Sequence, residues 1–225
     1  MTAGSTAQVT LTLEGVSNVS YYATSTAGVS GAPQTLTVRI DKTAPVITYT
    51  RTPYTYTTWN NGPVTVAFTF SDATSGVFST SPASVTLSGN GANQSMTGSA
   101  TDMAGNVATT VVTGINIDTT PPGLTLARNP TSATRANSNV SVRIYGTVSD
   151  QAGLSGFDRT WSRCSITGSS TGLLRNVNNF TIQSNGNYSF NTSIPRNTRQ
   201  TFTISVTVRD NANNQTTRST TVVIR

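Results

Sequence analysis

Apolar and polar positions alternate with period two through most of the chain. Val64, Val66, Phe68 and Phe70 alternate with Thr65, Ala67 and Thr69. Phe202, Ile204, Val206 and Val208 alternate with Thr203, Ser205 and Thr207. The same rhythm runs through Val9–Leu11–Leu13, Leu36–Val38–Ile40 and Val140–Val142–Ile144. Each run presents one apolar and one polar face, as a strand with one wet side does. No helical period of useful length occurs. Turn signals separate the runs: Asn61-Gly62-Pro63, Ser88-Gly89-Asn90-Gly91, and Asn185-Gly186, a hairpin signal between Phe180/Ile182 and Tyr188/Phe190. The pattern predicts an all-β protein, with an irregular stretch from Gln151 to Val177 around Trp161 and Cys164.

Composition agrees with strands. Thr and Ser together make up 71 of 225 residues, and Thr suits a pleated, half-buried surface. Charged residues are only 10%, so the chain is not a charge-rich disordered one. No stretch is long and apolar enough to span a membrane, so membrane insertion is not expected. Met1–Ser5 has neither the basic start nor the apolar core of a secretory signal.

Some absences remove chemistry. Without His there is no Ser-His-Asp or Cys-His arrangement. The single Cys, Cys164, forms no disulfide within the chain and suits a buried apolar site. No phosphate-binding Gly loop or zinc set is present. The eight acids fall in turns and junctions rather than as a converging pair, so the expectation is a non-enzyme with no catalytic or cofactor-binding residues.

A motif recurs. Residues 23–41 superpose on residues 100–118 at an offset of 77 without a gap. Both carry a turn (Ser25-Thr-Ala-Gly-Val29, Asp102-Met-Ala-Gly-Asn106) and end in Ile-Asp before a Pro-bearing junction (Thr43-Ala44-Pro45, Thr119-Thr120-Pro121-Pro122). A third turn, Asp210-Asn-Ala-Asn-Asn214, stands near the C-terminus. Pro cannot sit in a central strand, so the junctions mark boundaries and stiffen the links. They divide the chain into 1–45, a half-unit; 46–122, a full unit; and 123–225, a longer one. The half-unit leaves an apolar face and a strand edge open. Either upstream strands complete it, or a neighbouring subunit does by strand donation.

Ser99-Ala-Thr-Asp-Met-Ala-Gly-Asn106 with Ile117-Asp-Thr-Thr-Pro-Pro122 resembles the repeats of bacterial immunoglobulin-like surface proteins. Ser71-Asp72-Ala-Thr-Ser-Gly76 is similar to an earlier segment of the same repeats, and Ser149-Asp-Gln-Ala-Gly-Leu-Ser-Gly156 is a longer variant. The resemblance implies tandem immunoglobulin-like β-sandwiches in a linear array, outside the cell or on its surface, in an adhesin, stalk or surface-layer protein. The expected role is a spacer, with neighbouring repeats or identical subunits as partners. A self-assembling filament is the first alternative.

Calcium is the one ion to weigh. Asp72, Asp102, Asp118, Asp150 and Asp210 lie near predicted strand ends, and the resemblance implies repeats of which some bind calcium at junctions. Calcium takes six to eight oxygens, however, and these acids stand apart in sequence, so turn hydrogen bonds are their simpler role and no metal site is assigned. Charge is uneven: residues 1–122 carry a net −2 and residues 123–225 a net +8, all from Arg. The Arg residues are scattered with few aromatics among them, which argues against nucleic acid. An accessory module for an acidic polysaccharide, such as a cell-surface or matrix glycan, is the second alternative, with Trp59 and Trp161 as possible sugar platforms or packing residues.

Overall fold

The computed structural model describes residues 6–53 and 58–225; Met1–Ser5, where the sequence shows no secretory signal, lies outside them. The described residues form strands and no helix. Contacts gather the chain into two compact units. One comprises Met1–Thr50, Val66–Val85 and Met96–Val112; the other comprises Arg51–Thr65, Thr86–Ser95 and Thr113–Arg225.

In the first unit, β1 (Gly15–Tyr21) and β2 (Gln34–Ile40) form an antiparallel pair with Gly15 opposite Ile40 and Tyr21 opposite Gln34. Directly opposed residues share a face. Val19, Tyr21, Leu36, Val38 and Ile40 therefore lie on one side, and Asn18, Ser20, Thr35, Thr37 and Arg39 on the other. No further strand joins this pair among the described residues, and Tyr21 and Leu36 are each 56% exposed. The alternating run at Val9–Leu13 forms no strand. Alternation supplies a face, but a strand also needs a neighbour to take its backbone hydrogen bonds, and none is present.

Two three-stranded sheets follow. β3 (Val46–Thr52), β4 (Val64–Ser71) and β6 (Ser84–Leu87) pair in the order β3-β4-β6. β5 (Val77–Ser81), β7 (Gly91–Asp102) and β8 (Val107–Ile117) pair in the order β5-β7-β8. The division between the units runs through all but β5 of these six strands: β3, β4, β6, β7 and β8. Val64, Val66 and Phe68 are buried at alternate positions of β4, as its pattern predicts. A Cβ at Gly98 of β7 would overlap the Phe68 ring, so only glycine lets that ring lie against the backbone.

The second unit carries a complete sandwich. One layer holds β10 (Ala127–Asn129), β12 (Asn139–Ser149) and β15 (Asn187–Pro195), with β9 (Gly123–Leu124) also on β12. The other runs β11 (Ser132–Ala133), β17 (Gln215–Ile224), β16 (Gln200–Asp210), β13 (Phe157–Gly168), β14 (Gly172–Asn178). Every second residue of β16 is buried from Gln200 to Asp210. Val142, Ile144 and Ile194 of one layer join Ile166, Phe202, Ile204, Val206 and Val222 of the other in one core. Burying each such side chain contributes about 1.5–3 kcal/mol.

Of the stretch expected to be irregular, residues 151–156 form a loop, but from Phe157 on the chain forms a hairpin, β13–β14. A bulge between Ile166 and Thr167 and a second register shift between Phe157 and Ser162 break its alternation, which hid it from a strict period-two reading. The Asn185-Gly186 turn forms, but Ile182 reaches Tyr188 only through a single bridge.

The three repeated turns close identically. The first residue's N–H bonds to the fifth residue's carbonyl: Ser25 to Val29 at 2.8 Å, Asp102 to Asn106 at 3.0 Å, Asp210 to Asn214 at 3.0 Å. The fourth residue bonds back to the first and has positive φ: Gly28 at 81°, Gly105 at 93°, Asn213 at 74°. Gly and Asn are the residues that tolerate this conformation, so the third copy keeps the turn without its Gly.

Candidate functional site

The acids that stand apart in sequence converge in the fold. Three elements supply them each time: the Asp that closes a strand before the Pro junction, the Asp of the Ser-Asp loop, and the Asp that opens the repeated turn. In the first unit these are Asp41, Asp72 and Asp102; in the second they are Asp118, Asp150 and Asp210. In each trio one oxygen per carboxylate lies within 4.8 Å of the others. Asp102, Asp118 and Asp210 are buried, at 1%, 0% and 1% exposure. Asp41 was not among the five candidates singled out in the sequence. The signal was its equivalence to Asp118 at the repeat offset.

Local hydrogen bonds fix each carboxylate. Asp72 Oδ1 accepts from the N–H groups of Thr74, Ser75 and Gly76. Asp102 Oδ1 accepts from Ala104 and Asn106, and Asp210 Oδ1 from Asn214. The turn-stabilising role is therefore real. Longer bonds then tie the elements together. The Ser75 N–H donates to Asp41 Oδ2 at 3.0 Å, and the Ser155 N–H donates to Asp118 Oδ2 at 3.1 Å. Asn106 Nδ2 donates to the carbonyls of Asp41 and Thr43, on either side of Lys42. Asn214 Nδ2 donates to the carbonyl of Asp118 at 2.8 Å and to Asp210 Oδ2 at 2.8 Å. The Asn of the repeated turn thus staples the chain at the start of each junction. The first copy has Val29 there and lacks the staple.

Three carboxylates this close repel. At an effective dielectric of about 20, two unit charges about 5 Å apart cost roughly 3 kcal/mol. A proton or a cation relieves that. Burial pushes the Asp150 carboxyl above its ordinary value, the Gln151 N–H draws it back, and the Asp118 charge raises it further. Burial likewise raises Asp210 against the Asn214 hydrogen bonds, with Asp118 adding to the rise. The donor set also fits calcium. Two oxygens bound to one calcium at about 2.3–2.6 Å stand no more than about 5 Å apart, which both trios satisfy. Asp150 Oδ2 is buried and accepts no hydrogen bond, so one ligand atom is uncommitted.

Asp158 lies outside the trios. Burial alone would raise its carboxyl, but the Thr160 hydroxyl and N–H and the Arg209 guanidinium outweigh burial and hold it low. Together these shifts predict an optimum in calcium-free buffer. Asp150 and Asp210 bind protons more readily folded than unfolded, so stability rises as pH falls from neutral through their folded pKa toward the ordinary 3.8. Asp158 does the reverse: its contribution is present above 3.8 and is lost as pH falls through its lowered folded value. Urea midpoints between pH 7 and pH 3 should pass through a maximum on the acid side of neutrality; a monotonic fall from pH 7 would contradict the trio's repulsion.

The remaining candidates fall elsewhere. Cys164 is buried at 1% exposure, and burial pushes its thiol up to about 11, which leaves it unreactive. Trp161 is half-buried, with the guanidiniums of Arg163 and Arg209 over its ring at 4.9 and 5.0 Å. Trp59 is half-buried beside Asn60.

No protein-family model matches the chain, and no curated protein matches it. Solved structures resemble it distantly. The fibronectin(III)-like modules of Clostridium thermocellum CbhA align at 10% identity over 79% of this chain and 94% of theirs, with a TM-score of 0.37. A tetra-tandem repeat from the extending region of a large adhesion protein aligns at 17% identity over 94% of this chain and 57% of that one, with a TM-score of 0.39. The Yersinia pseudotuberculosis adhesin InvE aligns at 11% identity over 78% of this chain and 58% of its own, with a TM-score of 0.27. These likenesses are weak over the whole chain and say nothing about the acidic trios.

Proposed function

We propose that the chain is a non-catalytic repeat segment of an extracellular bacterial surface protein, in which units 1–45, 46–122 and 123–225 act as a spacer. The observation that carries this reading is the junction built twice from the same parts: three converging Asp residues and an Asn that bonds the carbonyl of the strand-closing Asp. A single binding or catalytic site has no need of a duplicate; a spacer needs each link held. Each trio would hold a calcium ion, through Asp41, Asp72 and Asp102 in one case and Asp118, Asp150 and Asp210 in the other. The ion would supply positive charge that ties strand end, loop and turn together.

Lys42 is the only lysine and sits inside the first junction, so a protease that cuts only after Lys has one site in the chain. Cleavage at Lys42 should be slow in the native protein and about ten-fold faster in Asn106→Ala, because losing about 1–1.5 kcal/mol of hydrogen bonding raises the open population by that order. Equal rates in the two proteins would reject the staple and the spacer reading with it.

The apolar face of β1–β2, on which Tyr21 and Leu36 are exposed, favours a second reading. Residues 1–45 would complete a neighbouring subunit's sandwich by strand donation and so build a filament. Light scattering should then show assemblies that disappear when residues 1–45 are deleted; monomers with and without the deletion would remove this reading.

A further inference from the structure

The outer face of the five-stranded sheet has a feature that the spacer reading does not use. Its register aligns two polar rungs across four strands. Arg163 lies opposite Asn178 on one side and Thr207 on the other, with Thr217 beyond. Ser165 lies opposite Asn176 and Ser205, with Ser219 beyond. Side chains alternate across a strand, so these residues share the face turned away from Cys164, Ile166 and Val206 in the core. Arg163, Ser165, Asn176, Asn178, Ser205 and Thr207 line a shallow depression of about 270 Å³ with no acidic residue in its wall.

The hydrogen-bonding capacity here is largely unspent. Ser205 pairs with Ser219, and Thr207 with Thr217, each at 2.8 Å, which fixes the hydroxyls on one side of the depression. The side chains of Arg163, Ser165, Asn176 and Asn178 make no hydrogen bond or ion pair among the described residues. Arg163 is nonetheless held in place, because its guanidinium lies over the Trp161 ring. Its neighbour Arg209 is committed to Asp158 and Asn213. One free cation thus stands beside two amides and three hydroxyls, on a surface open at the edge strand β14.

We infer that this depression binds an extended oligosaccharide bearing carboxylates, with Arg163 on a carboxylate and Ser165, Asn176 and Asn178 on its hydroxyls. Amides and hydroxyls both donate and accept, as sugar hydroxyls do. A single guanidinium among neutral groups suits sparse negative charge. It does not suit a nucleic acid duplex, which carries one charge per about 1.7 Å of axis. An aromatic-held guanidinium loses little freedom when it binds, which favours a fork-shaped contact to carboxylate.

The test titrates the whole protein with hexagalacturonate at low salt and follows backbone and side-chain amides by NMR. Saturable shifts are expected at Asn176, Asn178 and the Trp161 indole. Arg163→Ala should weaken binding about ten-fold or more, the usual worth of a charge-assisted hydrogen bond. Arg163→Lys should recover only part of it. Arg199→Ala removes an equal charge from the turn before β16, away from the depression, and should change binding by about two-fold or less. The methyl-esterified hexamer should bind as weakly as the acid form does to Arg163→Ala. Equal losses from the Arg163 and Arg199 variants would show diffuse charge attraction and overturn the site. Absence of shifts at Asn176 and Asn178 at millimolar ligand would overturn it too. Neither result bears on the protease test of the junction.

Discussion

Phe202→Ala is expected to destabilise the C-terminal sandwich by about 3–5 kcal/mol, the range for deleting a fully buried aromatic ring. Phe202 has 0% exposure and sits on β16, flanked by β13 and β17. Its ring lies against Gly168, where even a Cβ would come within 3.0 Å of it, and it shares the core with Ile204, Ile166 and Val222. Alanine there leaves a cavity between two sheets whose backbone ladders restrain collapse. A domain of this size has about 5–15 kcal/mol in total, so the loss is a large fraction. Trp161 fluorescence during urea unfolding reports on the same sheet. The midpoint should fall sharply with an unchanged slope, while Thr203→Ala, one residue along on the outer face, should change stability by about 0.5 kcal/mol or less. A loss below about 1 kcal/mol for Phe202→Ala would mean that the two sheets do not share this core.

Much of this fold was legible because period-two alternation and turn chemistry are local. β4, β12 and β16 follow their apolar runs, and the Asp-Ala-Gly-Asn turns stand where Gly and Asn permit positive φ. The misses are non-local. Val9–Leu13 has the right alternation but no neighbour to pair with. β13 and β14 have neighbours, but a register shift between Phe157 and Ser162 interrupts β13 and an extra residue, Leu174, interrupts β14. The acidic trios were invisible to any window-based reading, since Asp118, Asp150 and Asp210 meet only after a strand end, a loop and a turn from distant parts of the chain are brought together. Searching for clustered acids such as Asp-x-Asp misses this design. Asking which acids recur in the same three structural contexts would find it, and would have added Asp41. The Arg163 depression was hidden in the same way: its residues come from three strands, and only the register shows that they face outward together.

Calcium should raise the stability of the native protein, and Asp150→Asn should divide that effect in two. Extracellular modules bind calcium with Kd of about 10⁻⁴–10⁻³ M, so 10 mM calcium should add about 1.4–2.7 kcal/mol per site over a chelated sample. In the chelated state Asp150→Asn should be at least as stable as the native protein. The substitution removes a carboxylate that burial and Asp118 both disfavour, and keeps the shape of the side chain. In calcium the order should reverse, because an amide is a poorer ligand and the trio then offers only Asp118 and Asp210. Asp72→Asn should remove the response of the other trio and leave this one intact, since each trio lies wholly within its own unit. Calorimetric scans with and without calcium separate the cases. A native protein indifferent to 10 mM calcium would leave the proton as the only relief for the buried acids. An Asp150→Asn protein that keeps the full calcium gain would place the ion elsewhere.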